Sequence, residues 1–336
     1  APMLALIIRA GDGVNTIDIE AANERGIHVA NCPGKNTDAV AELAIGLMIA
    51  ADRRIVNACT ELRNGKWNKK EYQKSNGLKK RTLGIIGFGS IGQAVARRAK
   101  ALEMNVVAYD IMLTAEKADE MNIGHCRSLL ELATLSDVVS VHVAATPETK
   151  HFVNQDFFDK LKAGAVFVNA ARGEVVDTKA LKKAIKEKNI RAAIDVYENE
   201  PAGGVNDFND TELAEMATCT PHIGASTGQA AEAIAKEVVR IVKTYNETGK
   251  PVNAVNIRYK SETGNNIVVR HYNHVGVLAG VLDILKDAGI NVEDMENTIF
   301  SGGKAASCSL KLDGIPSDAI MKKISDNDDI IQVMVK

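Results

Sequence analysis

Residues Thr82 to Asp110 read TLGIIGFGSIGQAVARRAKALEMNVVAYD, and this stretch decides the fold. A short apolar run closed by glycines leads into residues with helical spacing, and a second run rich in β-branched residues follows. The same order recurs along the chain, where helix-like stretches such as DTKALKKAIKEKN feed strands such as IRAAIDVY. The alternation predicts βαβ units, and the continuous apolar strands predict a sheet covered on both faces. We therefore expect an α/β fold with a doubly wound parallel sheet.

The turn after the first of these strands has the spacing G-x-G-x-x-G, formed by Gly87, Gly89 and Gly92. Gly87 permits a tight turn, Gly89 lets the backbone approach a pyrophosphate, and Gly92 allows close packing of helix and strand. Ser90 and Ile91 open the following helix, whose amino terminus stabilises a bound phosphate. Because the motif stands between a strand and a helix, it predicts a Rossmann-type dinucleotide site.

An acidic residue, Asp110, ends the next strand of this unit. A carboxylate at that place accepts hydrogen bonds from the ribose hydroxyls of the adenosine and repels a 2′-phosphate. No Arg or Lys follows in DIML, where a positive charge would be needed to bind such a phosphate. The predicted cofactor is therefore NAD rather than NADP.

The composition narrows the classes of function. The chain has 336 residues and a net charge of −2, which indicates a globular protein of two or three domains that does not bind nucleic acid. No apolar run is long enough to span a bilayer, so we expect no membrane contact. The five cysteines lack metal-ligand spacing, so we expect no metal site and thiols in a reducing compartment, the cytoplasm. The sequence starts APMLALII rather than with an initiator Met, which leaves an organelle as an alternative.

Three polar residues lie at or beyond the ends of later strands, where open parallel sheets place their active sites. They are Arg172 in NAARGEVVD, Glu200 in DVYENEP and His222 in CTPHIGAST. An imidazole suits the proton transfer that accompanies hydride transfer, and a carboxylate beside it favours its protonated form. A guanidinium binds a substrate carboxylate through two hydrogen bonds. Together they predict reversible oxidation of a 2-hydroxy acid to a 2-oxo acid.

Four stretches in order, LGIIGFGSIG, NAARGEVVD, AAIDVYENEP and TPHIGAST, resemble the signatures of the D-isomer-specific 2-hydroxyacid dehydrogenases. The resemblance implies that Arg172 binds the substrate carboxylate and that His222 gives and takes the proton. It implies that Glu200 is the acid paired with His222, and that Asp195 lies near the nicotinamide. It covers the chain from Leu6 almost to Val255.

The stretch RAGDGV near the start resembles the family's RAG-x-GV turn, which offers backbone amides to the substrate carboxylate. By that resemblance Asp12 and Gly13 are substrate-binding residues, and the Asp12 side chain is expected to point away from an anionic substrate. We expect a substrate-binding domain split between residues 1–36 and 226–257, with its N-terminal part missing, around an NAD-binding domain at 37–225.

The polar residues 258–266 have no apolar period and predict a linker, and the order βαββαβ over 267–336 predicts a small α+β domain. This tail resembles an ACT domain, a regulatory module that binds amino acids at a dimer interface. By that resemblance His271, Asn273 and Asn291 hold an amino-acid effector, L-serine. The alternative is a module that only dimerises the chain.

The dehydrogenase motifs and the serine-type module together resemble the phosphoglycerate branch of the family. This implies NAD-dependent oxidation of 3-phospho-D-glycerate to 3-phosphohydroxypyruvate, the first step of L-serine biosynthesis, with feedback by serine. Lys69 in GKWNKKEYQK is a candidate phosphate contact by the same resemblance. A glyoxylate or hydroxypyruvate reductase is the alternative, and a non-catalytic NADH-sensing scaffold is a further one. Because the helices flanking the nucleotide domain are more apolar than one lobe covers, we expect a homo-oligomer, dimer or tetramer.

Overall fold

A computed structural model describes residues 3–201, 204–257 and 265–336. The chain divides into two compact units, residues 1–257 and 258–336, each with its own core. Of the predicted linker 258–266, residues 258–264 lie outside the described residues. Asn265 and Asn266 already belong to a strand, so the strand begins earlier than the sequence indicated.

The first unit alternates strands with helices along most of its length. In chain order its strands are β1 Leu6–Ile8, β2 His28–Ala30, β3 Thr82–Ile86, β4 Asn105–Tyr109, β5 Gly124–His125, β6 Val138–Val141, β7 Val166–Asn169, β8 Arg191–Ile194 and β9 Thr218–Cys219. Its helices are α1 Ile19–Glu24, α2 Thr37–Arg53, α3 Ile55–Arg63, α4 Lys69–Tyr72, α5 Ser90–Ala101, α6 Ala115–Glu120, α7 Leu129–Leu135, α8 Gln155–Lys160, α9 Thr178–Lys188, α10 Thr211–Met216 and α11 Gly228–Thr248.

Seven of these strands form one parallel sheet in the order β5-β4-β3-β6-β7-β8-β9. The order reverses at β3, so the turn after β3 lies at the switch point where open α/β sheets bind ligands. All four residues of β6 and of β7 are buried. Neighbouring residues of a strand point to opposite faces, and the two faces are covered by α2 and α5 on one side and by α7, α8 and α9 on the other. The predicted doubly wound α/β fold is confirmed.

The amino-terminal strands β1 and β2 pair in parallel outside the large sheet. Ala30 and Cys32 pack against Ile241 of α11 in a small separate core. The Asn256 side chain also accepts a hydrogen bond from the Val29 amide at 2.8 Å. Residues from both ends of the unit therefore pack together, which is the arrangement that the predicted split domain requires.

The second unit follows the predicted order βαββαβ. Its elements are β10 Asn265–Tyr272, α12 Val277–Asp287, β11 Val292–Ile299, β12 Ala305–Leu312, α13 Asp318–Ser325 and β13 Ile330–Val335. The four strands form an antiparallel sheet in the order β11-β12-β10-β13. Alternate residues such as Ile267 and Val269 of β10 pack with Val281 and Leu285 of α12, so the helices cover one face of the sheet.

Candidate active site

The turn after β3 has the geometry of a phosphate-binding loop. Gly87 has φ +88°, and a side chain there would meet the backbone of His142 at 2.7 Å. A Cβ atom on Gly92 would collide with the Gly87 carbonyl oxygen, whereas a Cβ on Gly89 would meet nothing within 4 Å. Gly87 and Gly92 thus make the turn tight, and Gly89 leaves open space beside the amino terminus of α5.

The Asp110 carboxylate is held at the end of β4. Its Oδ2 accepts the Phe88 amide at 2.7 Å and its Oδ1 accepts the Met112 amide at 2.8 Å, so the glycine loop and the acidic residue form one rigid corner. Ile111 and Met112 are exposed beside it and bring no positive charge. The corner fits an adenosine ribose without a 2′-phosphate. NAD would lie along Gly87, Gly89, the Ser90–Ile91 start of α5 and Asp110.

His222 and Glu200 form a close pair at the carboxyl ends of the strands. The His222 Nδ1 atom lies 2.6 Å from Glu200 Oε2, and Glu200 Oε1 accepts the Tyr197 amide at 3.0 Å. Glu200 follows β8 and His222 follows β9, which are neighbours in the sheet. The two loops therefore meet because the strands that carry them are adjacent.

His222 lies in the left-handed region, with φ +52°. The buried carboxylate of Asp195 holds this turn, because it accepts the Thr220 hydroxyl at 2.6 Å and the amides of Ile223 and Gly224 at 2.9 Å. The His222 amide donates to the Asp195 carbonyl oxygen at 2.8 Å. Asp195 thus fixes the direction of His222 through the backbone.

Hydrogen bonding and charge perturb both members of the pair. The hydrogen bond to Glu200 raises the pKa of His222, and the charges of Glu200 and Asp195 add to it, while burial and Arg172 oppose it. Burial raises the pKa of Glu200, but the hydrogen bonds from His222 and the Tyr197 amide, with the charges of His222 and Arg172, outweigh it and lower the pKa. The charged forms of both side chains are therefore favoured together.

Arg172 lies beside the amino-terminal loop of the unit. A Cβ atom on Gly13 would collide with Nη2 of Arg172, so the glycine allows the guanidinium to approach the loop backbone. The Arg172 carbonyl oxygen accepts the Asn169 side-chain amide at 3.0 Å, which ties the residue to the end of β7. Asp12 is exposed, and its carbonyl oxygen accepts the Asn31 side chain at 2.7 Å. The structure thus brings Gly13 and Arg172 together.

Asn36 is a polar residue immediately before α2. It does occupy the N-cap position, but its side chain makes no capping hydrogen bond. Its Oδ1 atom is buried and, within the described ranges, has no hydrogen-bond partner. The first turn of α2 packs near the catalytic turn, since a Cβ on Gly224 would lie 3.5 Å from Val40. The sequence alone does not single out Asn36 as a site residue, because a polar residue just before a helix is explained equally well by capping.

Lys69 does not join this site within one chain. It begins α4, whose Glu71 accepts a hydrogen bond from Arg54 at 2.8 Å, just after the end of α2. The carbonyl oxygen of Lys74, just after α4, accepts a hydrogen bond from the side chain of Arg191, the first residue of β8. Glu200 lies beyond the other end of β8. Lys69 therefore lies toward the amino-terminal edge of the sheet, opposite the catalytic residues. The predicted phosphate contact has no support from a single chain.

The predicted effector residues lie at two ends of the second unit. His271 is buried, with Nδ1 2.7 Å from the Tyr272 carbonyl oxygen and Nε2 3.3 Å from Asn297. Asn273 donates to the Gly303 carbonyl oxygen at 2.9 Å. The backbone N–H of Asn291 donates to Oδ1 of Asp313 at 2.8 Å, and Asp313 follows the other end of β12. The structure brings His271 and Asn273 together, but it separates both from Asn291 by the length of a strand.

The chain belongs to the D-isomer-specific 2-hydroxyacid dehydrogenase family, because residues 45–224 match the model of its NAD-binding domain. It is 44% identical over 266 residues to a D-3-phosphoglycerate dehydrogenase of Archaeoglobus fulgidus, covering 76% of this chain and 48% of that protein. It is 40% identical over 251 residues to a hydroxypyruvate reductase of Thermotoga maritima, covering 73% of this chain and 78% of that protein. The chain thus spans about half the length of the first relative.

A solved structure shows the same fold. The D-lactate dehydrogenase of Aquifex aeolicus, solved with NAD and lactic acid, is 29% identical, with a TM-score of 0.67 over 77% of this chain and 82% of that chain.

Two further observations concern membrane-spanning helices and metal sites. Among the described residues, no helix is long and apolar enough to cross a membrane. Nor does any group of His, Cys, Asp and Glu in those ranges have the arrangement of a metal site.

Proposed function

We propose that this chain catalyses NAD-dependent oxidation of a D-2-hydroxy acid to the 2-oxo acid, with 3-phospho-D-glycerate and 3-phosphohydroxypyruvate as the substrate pair. The observation that carries the proposal is the 2.6 Å contact of His222 with Glu200. The His222–Glu200 pair and Arg172 lie at the same edge of the sheet, and the Arg172 side chain packs against the loop that contains Gly13. A proton-transfer group and a carboxylate-binding cation beside a dinucleotide loop are the parts that this reaction needs.

NAD, when bound, supplies the hydride acceptor. Because His222 Nδ1 is engaged by Glu200, Nε2 is the nitrogen that takes the proton from the substrate hydroxyl in oxidation and returns it to the carbonyl oxygen in reduction. Glu200 stabilises the imidazolium that oxidation creates. Arg172 binds the substrate carboxylate together with the backbone amides around Asp12 and Gly13, and thereby fixes which face of the substrate meets the cofactor.

The phosphorylated substrate is supported by the D-3-phosphoglycerate dehydrogenase relative, and the second unit is consistent with regulation by an amino acid such as L-serine. The second candidate, a hydroxypyruvate reductase, is supported by the Thermotoga relative. A phosphate on the substrate requires cations, and within one chain Lys69 lies toward the edge of the sheet opposite the catalytic residues. The preference for the phosphorylated acid is therefore the part of the proposal that kinetics must decide.

An oligomer is part of this proposal. Helix α3 has no buried residue, its Ile55, Val56 and Leu62 are about half exposed, and Trp67 after it is 82% exposed. Apolar side chains grouped in this way favour contact with a second copy. In the second unit, eight-residue strands of about 3.4 Å per residue separate Asn273 from Asn291, so one small amino acid that contacts both requires two copies.

The test is NADH oxidation by the full chain with phosphohydroxypyruvate, hydroxypyruvate and glyoxylate, repeated across a serine titration. We expect the highest kcat/KM with the phosphorylated acid, and inhibition by serine. A higher kcat/KM with hydroxypyruvate would establish the reductase instead. The His222→Gln variant is the matched control, since glutamine keeps a polar side chain of similar length but removes the proton donor. Equal turnover by wild type and this variant would refute the catalytic assignment and leave a scaffold that senses NADH.

A further inference from the structure

A second histidine–carboxylate pair lies outside the residues assigned so far. His151 Nε2 is 2.6 Å from Glu198 Oε1, and Glu198 stands two residues before Glu200 on the same turn. The other carboxylate oxygen, Glu198 Oε2, accepts the amide of Thr178 at 2.9 Å, at the start of α9. One carboxylate on the Glu200 turn is thus bonded to two other segments of the unit.

The segment that carries His151 is bonded to the backbone that follows Arg172. The His151 amide donates to the Glu174 carbonyl oxygen at 2.8 Å, and Val153 forms a parallel bridge with Val176. Residues 151–153 therefore lie along the backbone that follows Arg172. The Glu198 carboxylate is bonded to both of these backbone segments, to the side chain of His151 in one and to the amide of Thr178 in the other.

The backbones of the two catalytic loops also touch. A Cβ atom on Gly173 would collide with the carbonyl group of Tyr197, and it would lie 2.5 Å from the Glu198 nitrogen. Only glycine allows the residue after Arg172 to lie against the peptide that leads to Glu200. The two catalytic loops are therefore packed backbone against backbone.

The backbone of His151 has a conformation that is uncommon for a residue other than glycine. It has φ +50°, in the left-handed region that a non-glycine residue adopts at a cost of about 1 kcal/mol. Such strain persists where surrounding bonds over-determine the conformation. His222 has the same conformation, φ +52°, and its own carboxylate partner at 2.6 Å. The turn 198–200 therefore binds two strained histidines through alternate carboxylates.

We propose that His151 and Glu198 are positioning residues that hold the Glu200 turn against the Arg172 loop and so keep Glu200 on His222. Neither is assigned a contact with substrate, so their effect passes through Glu200. The inference rests on the proposed function for its catalytic meaning, but the positioning itself is a property of the protein without substrate. Loss of the His151–Glu198 contact would let the turn move and weaken the bond between Glu200 and His222.

The variants follow from the geometry. His151→Asn keeps a residue type that tolerates the left-handed region, but its amide is too short to reach Glu198. His151→Gln places an amide N–H where Nε2 stands and should restore the bond. Lys182→Ala is the structural control, because it breaks the ion pairs of α9 with Asp210 and Glu212, at 2.6 and 2.9 Å, without touching the catalytic loops.

The readout is the pKa of His222, measured by NMR titration of the full chain and assigned by the resonance missing from His222→Gln. The charged groups that face His222 are Glu200, Asp195 and Arg172. We expect His151→Asn to lower this pKa by roughly half a unit or more, and kcat/KM for the 2-oxo acid to fall by roughly tenfold. His151→Gln should recover both, and Lys182→Ala should change neither.

The sign of the shift separates positioning from direct charge. Removing a histidine that carries positive charge would raise the pKa of His222, whereas a displaced Glu200 lowers it. A folded His151→Asn variant with an unchanged or raised His222 pKa would overturn the proposal. So would an equal loss in Lys182→Ala. Absence of turnover in the wild type would refute the proposed reaction, while the NMR titration would still decide the positioning role.

Discussion

The Nδ1 atom of His222 lies 2.6 Å from Oε2 of Glu200, and the two residues come from loops after neighbouring strands. This contact raises the pKa of His222 above its ordinary value of 6.5. Reduction of a 2-oxo acid needs the protonated imidazole, so the raised pKa keeps reduction active to higher pH. The pair thus sets the pH range of the proposed reaction.

Replacement of Glu200 by Gln tests this directly. The amide keeps the size of the side chain but removes the charge, so the pKa of His222 falls and the alkaline limb of the reduction profile moves to lower pH. We expect kcat/KM at pH 7.5 to fall roughly a hundredfold, with a smaller loss at pH 6. Glu212→Gln, an equally conservative change on α10, is the control. Superimposable pH profiles for wild type and Glu200→Gln would contradict the assignment.

The same pair predicts how stability varies with pH. His222 has a raised pKa, so its contribution is fully present below its unfolded value and is lost as pH rises through the folded value. Glu200 has a lowered pKa, so its contribution is present above its unfolded value and is lost as pH falls through the folded value. The melting temperatures of wild type and Glu200→Gln should therefore differ most between pH 4.5 and 6.5, the ordinary pKa values of the two groups.

A third prediction concerns the guanidinium of Arg172. Lys in its place keeps the charge but cannot form two parallel hydrogen bonds with a carboxylate. We expect Arg172→Lys to raise KM for the 2-oxo acid and to lower kcat/KM by roughly a hundredfold, since one bidentate contact is lost. The affinity for NADH, measured by fluorescence titration, should stay at the wild-type value. Weaker NADH binding with an unchanged KM for the acid would place Arg172 at the cofactor instead.

Gly13 offers a sharper test of the substrate loop. A methyl group on Gly13 collides with Nη2 of Arg172, so Gly13→Ala should displace the guanidinium and raise KM roughly tenfold. A methyl group on Gly46 of α2 would meet nothing within 4 Å, so Gly46→Ala should leave kinetics unchanged while stabilising the helix by about 0.5–1 kcal/mol. Equal KM values in the two variants would show that substrate binding does not require the close contact of the Arg172 guanidinium with the backbone of Gly13.

Much of this arrangement could be predicted from the sequence, because it depends on local patterns. The glycine spacing and the acidic residue Asp110 identify the dinucleotide corner, and the alternation of helices and strands gives the parallel sheet. The left-handed turn at His222 could not be predicted, since it is imposed by the buried Asp195 carboxylate from another strand. The position of Lys69 could not be predicted either, because a lysine in a polar stretch of sequence carries no information about which edge of the sheet it will reach.

Cofactor preference depends on the charge of Asp110. Asp110→Asn keeps an oxygen that can accept the Phe88 or Met112 amide, but it removes the repulsion of a 2′-phosphate. We expect the ratio of kcat/KM for NADH over NADPH to fall by roughly tenfold or more, because the 2′-phosphate of NADPH would no longer lie close to a carboxylate. The control is Asp159→Asn, which changes an exposed carboxylate at the end of α8. An unchanged ratio would mean that another part of the site excludes the phosphate.

The Asp52–Arg81 ion pair makes the last prediction, on stability. Asp52 is 1% exposed and its Oδ1 lies 2.8 Å from Nη1 of Arg81, while its Oδ2 accepts the Gly77 amide at 3.0 Å. Arg81→Met leaves a buried carboxylate with only one amide donor, and such loss of a partner costs about 3–5 kcal/mol. Urea unfolding should be followed by circular dichroism, because the single tryptophan, Trp67, is already exposed.

The double variant Asp52→Leu with Arg81→Met separates the charge from the packing. It removes both ions together, so it should be more stable than Arg81→Met alone, since no charge is left buried without a partner. Lys79→Met, which breaks an exposed pair with Glu103, should cost at most about 1 kcal/mol. If the double variant is no more stable than Arg81→Met, the loss comes from packing around the guanidinium, and the buried charge of Asp52 is not what makes the pair necessary.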